Sequence, residues 1–169
     1  TSVSYLAPGC PAYHIVNTCK QGRYSIEKEI LADPLRDVVL QRIRFVPLVG
    51  ALEDYRLFVL LAPHLANCGK GNTGWVGDYK GIPMLFANRE RTALAMACSP
   101  QWGARSAGFV GTSDGWQDLS RHGSLEWKYD RAENGNIALT AEIDLRETTE
   151  ITLALGFGEQ RALVGAEQP

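Results

Sequence analysis

The chain has 169 residues, 45% of them hydrophobic, with 17 basic and 19 acidic side chains and a net charge of −2; that is enough for one domain with a substantial core and too little for two. The charge balance excludes a basic footprint for nucleic acid or an anionic membrane surface, and the longest apolar run, LFVLLAP, is far below the ~20 residues that cross a bilayer. With no charged-then-apolar leader at its start, the chain reads as soluble.

In chain order, TSVSYLAPGCP (1–11) opens without a clear strand. RYSIEKEI (23–30) alternates, placing Tyr24, Ile26 and Ile30 on one side and Arg23, Ser25, Glu27 and Glu29 on the other, the pattern of a half-buried strand. ADP (32–34) reads as a turn, and DVVLQRIRF (37–45) as the next strand. DYRLFVLLA (54–62) is apolar on both faces and is expected to be a central strand between packed layers. GWVGDY, IPMLFAN, TALAMAC, SAGFVG, SLEWKYD, NIALTAEID and EITLALGF follow, short and mostly bounded by Gly, Pro, Asn or Asp, with a turn at NRER (88–91). ENGN (133–136) has the chemistry of a tight hairpin between two of these strands. No amphipathic helix is evident. Ten to twelve strands at this spacing predict an all-β fold, a large antiparallel β-sandwich over residues 1–169.

Cys10, Cys19, Cys68 and Cys98 lack paired C-x-x-C spacing and are too few to build a disulfide scaffold; Cys10 and Cys19 could meet across a hairpin, and Cys98 reads as a small buried hydrophobe. His14, His64 and His122 show no metal-ligand spacing, so no metal or other cofactor is assigned, although loop carboxylates leave calcium open. CGKGNTG (68–74) is not a phosphate cradle, because that loop needs G-x-x-x-x-G-K-[ST] opening a helix and a strand-like segment follows here. No nucleophile elbow is present.

SAGFVGTSDGWQDLSRH (106–122), read as irregular because it is rich in Gly and Ser, sets Trp116 between Asp114 and Asp118. An inverting glycosidase needs two carboxyl groups roughly 6.5–9.5 Å apart. On an extended chain these two would be about 13 Å apart, so only a curled loop would bring them to working distance. Capping of local amides explains both aspartates more simply, as Ser113-Asp114-Gly115 suggests for a turn. An exposed indole at Trp116 suits a partner surface or a sugar face. Trp75, Trp102 and Trp127 adjoin apolar strands and read as core or sheet-edge residues.

DYRLFVLLAPHLANCGKGNTGWVGDYKGIPMLFANRERTALAMACS, followed by SAGFVGTSDGWQDLSRH, resembles the N-terminal domain of bacterial glucoamylases and glucodextranases of glycoside hydrolase family 15. The likeness runs from about residue 12 to 158, with 159–169 as the start of a linker. It implies a super-β-sandwich of galactose-mutarotase-like architecture. In the family, further strands precede the equivalent of SVSYLAP, and an (α/α)6 barrel follows that carries two catalytic glutamates and releases glucose from α-glucans with inversion. No segment of this chain matches that barrel, so no catalytic residue is assigned. The resemblance implies a partner barrel in the same parent protein, with α-glucan as its substrate. The residues expected at the interdomain contact, or at a sugar, are Trp116, Gln117, Asp118 and Asp114, with Trp75 and Tyr79. The rival reading is a free-standing carbohydrate-binding module.

Overall fold

The computed structural model describes residues 1–146 and 148–159; the linker expected over 159–169 lies, Glu159 apart, outside the described residues. The alternating segments become twelve antiparallel strands: β1 (Ser2–Tyr5), β2 (Tyr13–Thr18), β3 (Tyr24–Ala32), β4 (Val38–Pro47), β5 (Leu57–Leu61), β6 (Asn72–Tyr79), β7 (Ile82–Arg89), β8 (Thr92–Ser99), β9 (Trp102–Phe109), β10 (Arg131–Gly135), β11 (Ile137–Ile143) and β12 (Glu150–Glu159). They form two sheets, one of nine strands in the order β1-β2-β3-β4-β12-β8-β7-β6-β10 and one of three in the order β5-β11-β9. The β-sandwich expectation holds.

Period two explains the core. Ile43 and Phe45 of β4, Leu85 and Ala87 of β7, Leu94 and Met96 of β8, and Ile151 and Leu153 of β12 face Ala107 of β9 and Ile137, Leu139, Ala141 and Ile143 of β11. Leu139 has no solvent exposure, and truncating such a side chain to Ala costs about 2–5 kcal/mol. The opposite face of β3 and β4 is polar, with Glu29 paired to Arg42 and Glu27 to Arg44 in register, and Glu150 2.9 Å from Arg42. Alternation in RYSIEKEI thus separates the core residues Tyr24 and Ile26 from an ion-paired outer surface.

Five expectations are corrected. Residues 2–5 do form a strand, paired to β2. Among the described residues β5 is an edge strand paired to β11 alone; Leu57, Val59 and Leu61 pack on the core, while Leu60, 46% exposed, lies on the opposite face, so the second apolar face is open rather than covered by another layer. ENGN is no hairpin turn: residues 133–135 belong to β10, where the pairing with β6 shifts register between Ala132 and Gly135 and Asn134 takes φ +51°, and the chain bends at Asn136 and passes to β11, which pairs β5 and β9. SLEWKYD is no strand. Its backbone instead bridges the sheets, Asp130 O accepting from Val76 N and Tyr129 O from Ala107 N. Finally, the segment read as irregular holds the helix α1 (Gly115–His122).

Candidate functional site: the helix on the small sheet

Six of the eleven residues of GFVGTSDGWQD have a local structural task. Gly108 and Gly115 permit contact closer than any side chain allows: a Cβ at Gly108 would lie 2.0 Å from Ser113 O, and one at Gly115 2.3–2.5 Å from the Thr140 side chain. Gly111 takes φ +78°, a conformation costly for other residues. Ser113 Oγ accepts from Phe109 N at 3.0 Å. Asp114 is the N-cap: Oδ1 accepts from Gln117 N at 3.0 Å, satisfying a donor that a helix start leaves open, and Oδ2 accepts from Gly111 N in the turn before it. The helix ends at Gly123 in the left-handed conformation, its N–H donating to Leu119 O.

Asp118 has no solvent exposure. Its Oδ1 accepts from His122 Nδ1 at 2.7 Å, and Oδ2 from Glu126 N at 2.8 Å and Trp127 N at 2.7 Å. Burial alone would raise this carboxyl; the His122 hydrogen bond and the two backbone donors outweigh it and hold the group below the usual carboxylate range. Asp118 is therefore a clamp between α1 and the bridging segment. Arg121 lies over the Trp127 ring at 5.1 Å, and His122 meets its edge at 5.8 Å.

The six residues singled out in the sequence separate into three places. Asp114, Trp116, Gln117 and Asp118 come together at α1. Trp75 does not join them: Gly74 beside it faces Ile137 and Leu139 in the core, so Trp75 points to the other face of the large sheet, stacked on Phe86 at 5.4 Å and 1% exposed. Buried to that extent, it offers no surface to a partner. Tyr79 is half-buried at the far end of β6, about 23 Å along the strand from Asn72 by ~3.3 Å per residue. Of the α1 group, only Trp116 is both large and open, at 67% exposure.

Several residues near α1 escaped the sequence reading. The loop before β6 is wrapped around the buried side chain of Asn72, whose Nδ2 donates to Cys68 O and Gly69 O at 2.8 and 2.9 Å and whose Oδ1 accepts from Leu65 N. Carbonyls point inward there, the opposite polarity to a phosphate cradle. Val110 N donates to Asn136 O at 2.8 Å, and a Cβ at Gly69 would lie 3.2 Å from Asn136 Oδ1. The loops at 64–71, 109–114 and 133–136 thus converge at one end of the sandwich, beside the start of α1. Phe109 and Val110, 39% and 42% exposed, add to the apolar surface there.

All four cysteines carry free thiols. Among the described residues, no group of three or more His, Cys, Asp or Glu gathers as a metal site, and no helix is long and apolar enough to cross a membrane.

Fold and site together define a two-sheet antiparallel β-sandwich module with one short helix clamped on its smaller sheet. The family model described as "Glucodextranase, domain N" matches residues 1–167, and the chain belongs to that family. A glucoamylase from Clostridium sp. (strain G0005) is 36% identical over 146 residues, covering 86% of this chain and 21% of that protein. The crystal structure of a bacterial glucoamylase complexed with acarbose superposes with a TM-score of 0.91 at 33% identity, covering 95% of this chain and 24% of the other. The chain therefore spans about a fifth to a quarter of the length of these relatives.

Proposed function

We propose that this chain is a non-catalytic domain of a glucoamylase-like hydrolase that releases glucose from α-glucans, and that it packs against an (α/α)6 catalytic barrel of the same parent protein through the loop end that carries α1. The observation that carries this reading is Trp116. It stands 67% exposed on a helix whose neighbouring residues are committed to holding it in place, and a rigidly mounted indole is the kind of anchor on which interfaces depend. Gln117, Phe109 and Val110 extend the contact, while Asp114 and Asp118 act from beneath as positioning residues. Trp75 and Tyr79 are not part of it.

The relatives' length supports a partner within the same polypeptide. The carboxylates of Asp114 and Asp118 both serve backbone amides, which argues against either as general acid. The experiment measures glucose release from soluble starch by this chain alone and by the full-length parent. Release by the parent alone agrees with the proposal; release by this chain refutes it. A sugar-binding module is the second reading, favoured by the same indole, and it requires that Trp116→Ala abolish maltooligosaccharide binding.

A further inference from the structure

A second feature lies away from α1's exposed start. A cleft of about 480 Å³ opens between the 3-10 turn at Leu52–Asp54, with Tyr55 and Arg56 after it, and the exit of β11 at Glu142–Arg146, with Gly103 of β9 at its base. The volume falls within the roughly 300–1,000 Å³ typical of small-molecule sites. The pairing of β9 with β11 shifts register between Ala141 and Ile143; such a bulge re-aims side chains and is frequent beside functional sites.

The walls are fixed before any ligand arrives. Arg56 Nε and Nη2 donate to Glu142 Oε1 and Oε2 at 2.7 and 2.8 Å, the bidentate geometry that holds both planes. Arg146 N and Nε both donate to Asp144 Oδ1 at 2.9 Å. Hydrogen bonds from Arg146 push the Asp144 carboxyl down to about 2, so it remains an acceptor across the neutral range. Asp54 Oδ2 accepts from Ala51 N at 2.9 Å and holds the turn. The bidentate Arg56–Glu142 pair lowers the ordering cost on that wall.

Charge decides the ligand class. Both guanidiniums in the cleft are matched to carboxylates, and Glu53 adds a further negative charge. An anion would have to displace a carboxylate from its guanidinium while facing Glu53. A neutral polyhydroxylated molecule would not: carboxylate oxygens have acceptor sites beyond those used, and the half-buried Leu52 and Tyr55 offer apolar surface to the C–H face of a pyranose.

We infer that this cleft is a subsite for a neutral oligosaccharide, an α-glucan segment. The choice of α-glucan over other sugars rests on the function proposed above. The test is an NMR titration of the isotope-labelled chain with maltotriose, with inorganic phosphate as a control. Saturable shifts are expected at the amides of Gly103, Glu142 and Leu145. A Cβ at Gly103 would meet Glu142 Cβ at 3.4 Å, a tight but ordinary contact, so Gly103→Val should fill the cleft and weaken binding at least tenfold. Trp116→Ala should bind as the parent chain does. Should Gly103→Val fail to fold, the double change Arg56→Met with Glu142→Leu removes the polar wall at similar volume and should lose the same tenfold. Absence of saturable shifts, unchanged affinity in the folded variant, or equal shifts with phosphate would overturn the subsite. None of those results bears on docking through Trp116, which a separate association measurement reads.

Discussion

Gly115 and Thr140 meet with no room between them, since a side chain's first carbon on Gly115 would lie 2.3–2.5 Å from three atoms of the Thr140 side chain. This contact seats α1 directly on β11, fixing the height and direction from which Trp116 projects. Gly115→Ala is expected to destabilise the domain by about 1–3 kcal/mol, the usual cost of overpacking, read as a drop in thermal midpoint. Thr140→Gly in the same chain should recover part of the loss. An unchanged midpoint for Gly115→Ala would mean that α1 does not sit so close.

The clamp beneath the helix makes stability depend on acid. The folded carboxyl of Asp118 titrates below its ordinary range, so its contribution is complete above the unfolded value of about 3.9 and fades as pH falls through the lower folded value. Denaturant unfolding followed from pH 6 down to pH 2 should show this loss. Asp118→Asn should flatten that part of the curve, and Asp118→Ala should cost about 2–4 kcal/mol at pH 7, because buried backbone donors lose a charged acceptor.

Thiol chemistry separates the cysteines. Burial pushes the Cys98 thiol up to about 12, leaving almost no thiolate at pH 8, whereas Cys10 is exposed. A disulfide reagent at pH 8 should label Cys10 quickly and Cys98 only on unfolding. Rapid native-state labelling of Cys98, located by peptide mass, would contradict its placement on β8.

Much of the fold was legible because strand period is local. Tyr24 and Ile26 point inward and Glu27 and Glu29 outward as RYSIEKEI implied. Pairing is not local, which is why ENGN read as a hairpin although residues 133–135 belong to β10 and the next strand pairs in the other sheet. LFVLL on β5 is apolar on both faces, but composition does not tell whether a second layer covers the outer one, where Leu60 is exposed, nor whether the strand is central or at an edge. At eight residues α1 is too short to show a convincing period; its signals were the caps, Asp114 and Gly123, hidden among glycines required for close approach. For the site, proximity in sequence grouped Asp114, Trp116, Gln117 and Asp118, and all four lie at α1. Nothing short of the fold revealed that Asp118 reaches forward to residues 122, 126 and 127, or that Trp75 lies under the opposite face of the large sheet.

Trp116 should matter to the assembly and little to the domain itself. An exposed side chain away from caps and core usually changes stability by no more than about 0.5 kcal/mol, so Trp116→Ala should unfold within that margin of the parent chain in a chemical denaturation series.

The decisive measurement is the affinity of this chain for the separately expressed remainder of its parent hydrolase, titrated by calorimetry with the parent sequence and with Trp116→Ala. Association that weakens at least tenfold in the variant is the expected result, by analogy with interface anchors worth about 2 kcal/mol or more. Equal affinity for the two, or no association by the parent chain, would contradict the assignment of the α1 end as the docking surface.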